Sequence, residues 1–330
     1  MNRLNRRSAL ALLGTPMVAG LASLSSPLAL AQNFPSKALR IIVPFGAGGV
    51  ADLTARIVAQ KLNELLGQPV VIENKPGAGG VGASDQVAKS TPDGHTLLLM
   101  SNATAVSATL FKSLPYDSVK DFTPVSTLGL FDIGVVVASD SKYKTLGELL
   151  ADAKANPGKL NIGSINIGST QNLSAELFKS VAGIDVQIVP FNGTPAVVNA
   201  LRGKQIDAAV EILAPVMGQI KGGALRALAV TSEKRSVALP EVQTTKEAGL
   251  PAYLSSSWNA LAVPSATPKA VVARLHKDIQ TALADPEVAR KLRELNIEPR
   301  GQTPEQTAAF LQSEIKRWGD VIVKAKIPLQ

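Results

Sequence analysis

The sequence predicts an α/β protein of two lobes with a ligand cleft between them, each lobe a mixed, mainly parallel sheet flanked by helices. Three observations carry the prediction. Short β-branched runs alternate with helical repeats from Leu39 onward, the alternation lapses and restarts near Thr145, and the first series writes the five residues GAGGV twice. Alternating strands and helices build parallel sheets covered by helices. Two such series in one chain build two lobes.

The first series opens with ALRIIV, a short strand ending at Val43. After the first glycine turn, Ala51, Thr54, Ala55, Val58, Ala59, Leu62 and Leu65 recur at three- and four-residue spacing, the mark of a helix with one buried face. PVVIE is a second strand, the second glycine turn follows it, and Val81, Ala83, Val87 and Ala88 mark a shorter helix. HTLLLM after the PDG turn is a third strand. Residues 102–125 show little periodicity, and DIGVVVAS is a strand that carries the chain elsewhere. The second series then runs as helix TLGELLADAKA, strand KLNIGS, helix TQNLSAELFKSV, strand DVQIVP, helix PAVVNALRG, and strands QIDAAVE and LRALAV. Three helical patterns, beginning at Pro268, Pro286 and Thr303, close the chain and are expected to fold back over the first lobe. The expected division is 32–131 plus 228–330 for lobe 1 and 132–227 for lobe 2.

Residues 1–31 read as a signal peptide: Arg3, Arg6 and Arg7 form a positive start, an apolar stretch without acids follows, and Ala29-Leu30-Ala31 is a small-x-small cleavage site. The Arg6-Arg7 pair leaves the twin-arginine and Sec routes both open, and both lead to the periplasm. Removing those three arginines lowers the net charge from +8 to about +5, a mild excess without basic runs. That excludes a clustered nucleic-acid-binding face and suits an anionic small molecule. The chain has no cysteine, which excludes disulfides, thiolate metal sites and a cysteine nucleophile.

The duplicated glycine turns raise the question of a cofactor. Gly77 to Gly82 is a formal G-x-G-x-x-G and Gly46 to Ala51 a G-x-G-x-x-A, patterns that occur in dinucleotide-binding turns. A glycine turn between strand and helix gathers backbone N–H groups at the positive end of the helix dipole, which suits pyrophosphate or carboxylate alike. Two facts count against a dinucleotide. Pro44 and Phe45 separate the first strand from Gly46, and a second copy follows another strand of the same lobe, where one turn would suffice. Glu73, the acid available for a ribose, lies beyond the usual spacing of about 20 residues. The remaining readings are anion capture and tight turns alone.

Seven segments, in order, carry a resemblance. RIIVPFGAGGVADLTAR, VIENKPGAGGVGAS, PDGHTLLL, ANPGKLNIGSINIGSTQNLSAELFK, VPFNGTPAVVNALRGKQIDAAVE, LRALAVTSEKRSVALPEVQTTKEAGLP and SSWNALAVPSATP together resemble the solute receptors of tripartite tricarboxylate transporters, also called Bug receptors. The resemblance runs from about Leu39 to the C-terminus. It implies a type II-like periplasmic-binding-protein fold, no enzymatic activity, no cofactor and no metal. It further implies a monomer that binds a small carboxylate and serves the large and small subunits of a membrane transporter.

Members of that family hold a ligand carboxylate between the two glycine turns through backbone N–H groups and bridging waters. The resemblance therefore nominates Phe45, Gly46, Gly48, Gly49 and Asp52 from the first turn, and Gly77, Ala78, Gly79 and Gly80 from the second. For Asp52, a contact to a ligand-bridging water and a simple complement to the helix dipole both stand. Asn74 is expected to hold its own turn. On the second lobe Ser164, Gly168, Ser169 and Thr170 follow a strand and open a helix, where ligand contact and N-capping can coexist. Ser101 and Asn102 sit after the third strand, where α/β sheets bind ligands. Phe191 and Asn192, in the stretch running to Thr194, match family positions on the far wall, as does Asp207, for which a ligand contact and a turn hydrogen bond remain open.

The chain departs from the family at Glu211, where a second Asp is common, and at Ala260, where Gly is common. A longer acid in the cleft shrinks the pocket or meets a cationic ligand group, so dicarboxylate, aromatic acid and amino acid all stay open as ligands. His95 and His276 have no metal-ligand spacing, and no G-x-S-x-G motif is present. Two other functions share the sequence features: a ligand-sensing module for a signalling partner, and an exported nucleotide-dependent oxidoreductase.

Overall fold

The computed structural model describes residues 34–324 and 327–330; the expected signal peptide lies outside the described residues. Strand β1 (Leu39–Val43) is buried at every position but Arg40 and pairs in parallel with β2 (Val70–Asn74) and β3 (Thr96–Ser101). Helix α1 (Val50–Leu66) lies between β1 and β2. It buries Ala51, Ala55, Val58, Ala59 and Leu62, and stops at Gly67 in the left-handed region, whose N–H donates to the Asn63 carbonyl at 3.1 Å. A short turn, Ala78–Gly80, leads into α2 (Val81–Ala88).

Helix α3 (Asn102–Leu110) follows β3 directly and was not legible in the sequence. Seven of its residues, Asn102 to Ser107 and Leu110, are buried, so no polar face alternates with an apolar one and no helical period is visible. Ser101 starts it with a capping box: its Oγ accepts from the Ala103 N–H, and its own N–H donates to Thr104 Oγ1.

The long strand β4 (Phe122–Ala138) joins the two halves of the molecule. Phe122 to Asp132 pair antiparallel with β9 (Ser256–Pro264), which in turn pairs with β3; Ile133 to Ala138 pair antiparallel with β7 (Ala208–Ile212) and β8 (Leu225–Val230). In the second sheet β5 (Asn161–Ile165) lies parallel to β6 (Gln187–Phe191) and β7. It is flanked by α4 (Leu146–Ala155), α5 (Thr170–Ala182) and α6 (Thr194–Arg202), with a short α7 (Met217–Lys221) before β8. Parallel pairing is thus confined to the strands around β1 and β5. The strands that link the halves run antiparallel, because the chain must cross out and back. Strand β8 pairs with β4 in the second sheet on both sides of a bulge at Leu228.

The three crossing segments are tied at Thr231. Its N–H donates to the Ile133 carbonyl at 2.9 Å and its carbonyl accepts from the Ser255 N–H at 3.1 Å, while its Oγ1 donates to the Ile133 and Ser255 carbonyls. The closing helices α8 (Lys269–Ala284), α9 (Pro286–Glu294) and α10 (Pro304–Lys324) pack on the first sheet and its helices. A three-residue strand, β10 (Ile297–Pro299), adds to β4. Trp258 and Trp318 are buried in one core cluster with Leu98, Met100 and Leu311. No described helix is long and apolar enough to cross a membrane.

Candidate functional site

The C-terminal ends of β1, β3 and β5 open onto a cleft between the two sheets, the usual ligand position in α/β proteins. Its walls are Phe45, Gly46, Gly49, Val50, Ala51, Ser101, Phe131, Ser257 and Asn259 on the first-sheet side, and Ile165, Thr170, Gln171, Gly193, Thr194 and Ile212 on the other. No wall residue carries a charge. The open space is about 20 Å³, room for little more than one water, so a molecule of several heavy atoms enters only when the walls part.

The first glycine turn supplies the polar part of this cleft. Among the described residues, the backbone N–H groups of Gly46, Gly49, Val50 and Ala51 donate to no group of the chain, although the neighbouring Gly48 N–H and Leu53 N–H are both engaged. Four free donors at the start of a seventeen-residue helix have the chemistry to hold an anion without a cationic side chain. Gly48 has φ +78°, a conformation that glycine adopts without strain, and this folds its own N–H back onto Asp52 Oδ2 at 3.0 Å.

Asp52 therefore faces its own turn. Its Oδ1 accepts from Arg56 Nε at 2.9 Å. Burial works to raise its pKa, but Arg56 and the N–H of Gly48, joined by Asn74, outweigh burial and hold the carboxyl below its usual range. Asn74 completes the frame: its Nδ2 donates to the Phe45 carbonyl at 3.1 Å and its Oδ1 accepts from Arg56.

The second glycine turn is built differently. Gly77, Ala78, Gly79 and Gly80 are not among the cleft walls. The Gly79 N–H donates to the Ile167 carbonyl of the other half at 2.9 Å, and a Cβ on Gly168 would come within 3.1 Å of Gly79 Cα. This turn and the loop after β5 thus clasp one another, joining the two halves outside the cleft lining. The first turn has a similar partner, since a Cβ on Gly46 would meet the Asn192 carbonyl at 3.0 Å.

Of the other expected residues, Ser101 and Thr170 reach the cleft. Thr170 Oγ1 lies 3.0 Å from Ser257 Oγ, a hydroxyl pair joining the two sides. Ser169 caps α5, accepting from the Asn172 N–H and donating to the Ile165 carbonyl; Ser164 accepts from Asn172 Nδ2. Asn102 donates to the Ser256 carbonyl at 2.8 Å. Phe191 packs in the core of the second half. Asp207 stands before β7, at the opposite end of the strand from Ile212, where its carboxylate accepts from the Asn161 N–H at 2.8 Å.

Glu211 sits directly behind the far wall, fully buried. Its Oε1 accepts from Thr194 Oγ1 at 3.0 Å, and its Oε2 from Gln171 Nε2 at 3.2 Å and from the Ile212 N–H at 3.0 Å. Burial raises its pKa to about 7 against the pull of these donors. Gln171, Ser257 and Asn259 are wall residues that the sequence reading did not single out. A signal existed for two of them: Ser257 and Asn259 flank Trp258 at the two-residue period that puts them on one strand face and the tryptophan on the other.

A larger open groove of about 1510 Å³ runs past Asp132, Lys234, Arg290 and Arg317. Arg290 and Glu294, and Arg293 and Glu298, pair within it, and none of the site residues expected from the sequence lines it. The smaller cleft is the candidate site.

Comparison with known proteins agrees with this architecture. A family profile described as tripartite tricarboxylate transporter family receptor matches residues 54–327. Protein BugT of Bordetella pertussis is 37% identical over 306 residues, covering 91% of this chain and 93% of its own. Among solved structures, the periplasmic binding protein BugD is 31% identical with a TM-score of 0.87, over 90% of this chain and all of its own. MatC from Rhodopseudomonas palustris, solved with bound malate, is 32% identical with a TM-score of 0.83, over 88% of this chain and all of its own. The chain belongs to the tripartite tricarboxylate transporter receptor family, whose members are periplasmic solute-binding proteins of the Bug type.

Proposed function

We propose that this chain is a periplasmic receptor that captures a small organic carboxylate by closure of its two lobes and delivers it to the large and small membrane subunits of a tripartite transporter. The observation that carries the reading is the set of four free backbone N–H groups at Gly46, Gly49, Val50 and Ala51, residues that line an uncharged cleft. Fixed amide dipoles hold an anion without burying a cation, whose desolvation would add several kcal/mol to opening and closing. Phe45, Phe131, Ile165 and Ile212 suit the carbon skeleton, and the hydroxyls of Ser101, Thr170 and Ser257 suit its polar substituents.

In this reading the lobes divide near Asp132 and near Thr231, and the second glycine turn acts with Gly168 as a clasp rather than as a wall. The receptor works as a monomer, exported by its N-terminal leader through the Sec or twin-arginine route. The family is one of binding proteins, and no chemistry is assigned to the site.

Mass spectrometry of small molecules that co-purify with the protein tests the reading directly. A carboxylate is expected, and rebinding it should raise the melting temperature. If a broad carboxylate panel gives no thermal shift while a dinucleotide does, the reading fails. A strain lacking the gene should lose uptake of that carboxylate; intact uptake with lost induction of the uptake genes would instead mark the protein as a sensor.

A further inference from the structure

Glu211 is a fully buried carboxylate with no cation beside it, placed one layer behind a ligand cleft. Once ionised, as Glu211 is above about pH 7, a carboxylate accepts hydrogen bonds and cannot donate them. Its three partners must therefore turn their donors inward: Thr194 its hydroxyl hydrogen, Gln171 its amide nitrogen, and Ile212 its backbone N–H. Thr194 and Gln171 also line the cleft. What they have left for a ligand is largely acceptor capacity, the Thr194 oxygen lone pairs and the Gln171 carbonyl oxygen. Across the cleft Asn259 Oδ1 is buried with no partner, a further acceptor in want of a donor.

We infer that the Glu211–Gln171–Thr194 cluster makes the far wall a hydrogen-bond acceptor, so that the site selects a monocarboxylate whose other end carries a donor, a hydroxyl or an ammonium, over a dicarboxylate. The inference rests on the proposed reading, in which the first glycine turn takes the ligand's one carboxylate. A second carboxylate would meet lone pairs on the far wall, a carboxylate behind them, and no cationic wall residue to offset either. An ammonium or hydroxyl meets partners of the right polarity. Glu211 acts as a positioning residue, through Thr194 and Gln171.

Glu211→Gln tests the arrangement because its amide can donate. The new N–H would bond to the Thr194 oxygen and turn that hydroxyl toward the cleft, where it could meet a carboxylate. Titration calorimetry well above pH 7, where Glu211 is ionised, with γ-hydroxybutyrate, γ-aminobutyrate, succinate and butyrate compares ligands of one length with different far ends. The full-length protein should bind at least one donor-ended compound about tenfold or more tighter than succinate, as expected for hydrogen bonds that decide between a paired and an unpaired buried group. In the Gln variant that preference should shrink about tenfold or reverse. A purely structural loss would weaken all ligands alike and leave the ratio unmoved. Thr194→Val provides the second variant: it should weaken donor-ended ligands without improving succinate.

Succinate binding as tightly as the donor-ended compounds, or a ratio unchanged by Glu211→Gln while binding persists, overturns the inference and leaves the carboxylate-receptor reading standing. If no member of a broad carboxylate panel, aromatic acids included, binds the unmodified protein, both fall together.

Discussion

Glu211 also loads the stability of the molecule. Burial lifts its pKa from 4.5 to about 7, so between those values the folded chain binds a proton that the unfolded chain releases. Stability is therefore expected to fall as pH rises through that window, by on the order of 3 kcal/mol, and to level off above it. Glu211→Gln should flatten this segment of the stability curve and melt higher than the parent above about pH 7. A variant that melts lower there would show that the three donors more than compensate the buried charge. Asp52 has the opposite sign. Its carboxyl is held below the usual range by Arg56 and Gly48, so its contribution is present above the unfolded pKa and is lost as pH falls through the folded one. Because Arg56 is half exposed, the ion pair itself is screened, and the bond to Gly48 N–H is the larger part. Asp52→Ala should cost about 1 kcal/mol, as for a lost helix cap, and should weaken carboxylate binding by loosening the turn, both measurable by denaturation and calorimetry.

The two glycine turns share a sequence but not a mechanical role. At Gly48 an added side chain faces only Pro195 at 3.5 Å, and the cost is mainly the left-handed backbone at φ +78°, about 1–2 kcal/mol. At Gly79 the backbone is also left-handed, and a Cβ would collide with Ser107 Oγ and lie 2.6 Å from Phe111 Cε2. Gly48→Val should thus abolish binding while leaving a cooperative melt, whereas Gly79→Val should lower the melting temperature sharply as well. Equal melting temperatures would mean that α3 can move aside, and that the second turn is less anchored than its contacts indicate. The bland explanation of the glycines, tight turns alone, is accordingly stronger for the second copy than for the first. The elements themselves were legible wherever one face is buried and the other wet, as in α1, and illegible where burial is nearly all round, as in α3, or where a strand is as short as β10.

For the whole molecule, the proposed closure requires the narrow cleft and its clasp to open for ligand exchange. Gly168 sits at the clasp with φ +80°, and a Cβ there would be 3.1 Å from Gly79 Cα. Gly168→Val should prop the lobes apart. In small-angle scattering, the unmodified protein is expected to contract on binding a carboxylate and the variant to stay extended, with affinity reduced about tenfold or more if closure supplies even 1.4 kcal/mol. Contraction of the variant equal to that of the parent would remove the clasp from the closing mechanism. The crossing segments at Ile133, Thr231 and Ser255, bound through one threonine, are where such a motion would pivot.

The amino-acid sequence by itself determined the alternating elements, the two-series organisation and the family, because those depend on local periodicity, turn chemistry and motif order. It also nominated both glycine turns as places for an anion, since free N–H groups at a helix start follow from chain geometry alone. Tertiary structure decided which polar groups share a cleft. Asp207 and Glu211 lie four residues apart in the sequence, yet the direction of β7 puts one at the far end of the sheet and the other behind the ligand wall. The duplicated GAGGV differs in role for the same reason: the first copy faces open cleft, and the second is pressed against α3 and the loop after β5. Gln171 and Asn259, 88 positions apart in the sequence, line one cleft only because β4 and β9 bring the two sheets together. Such long-range contacts leave no local pattern, and they set the polarity of the site.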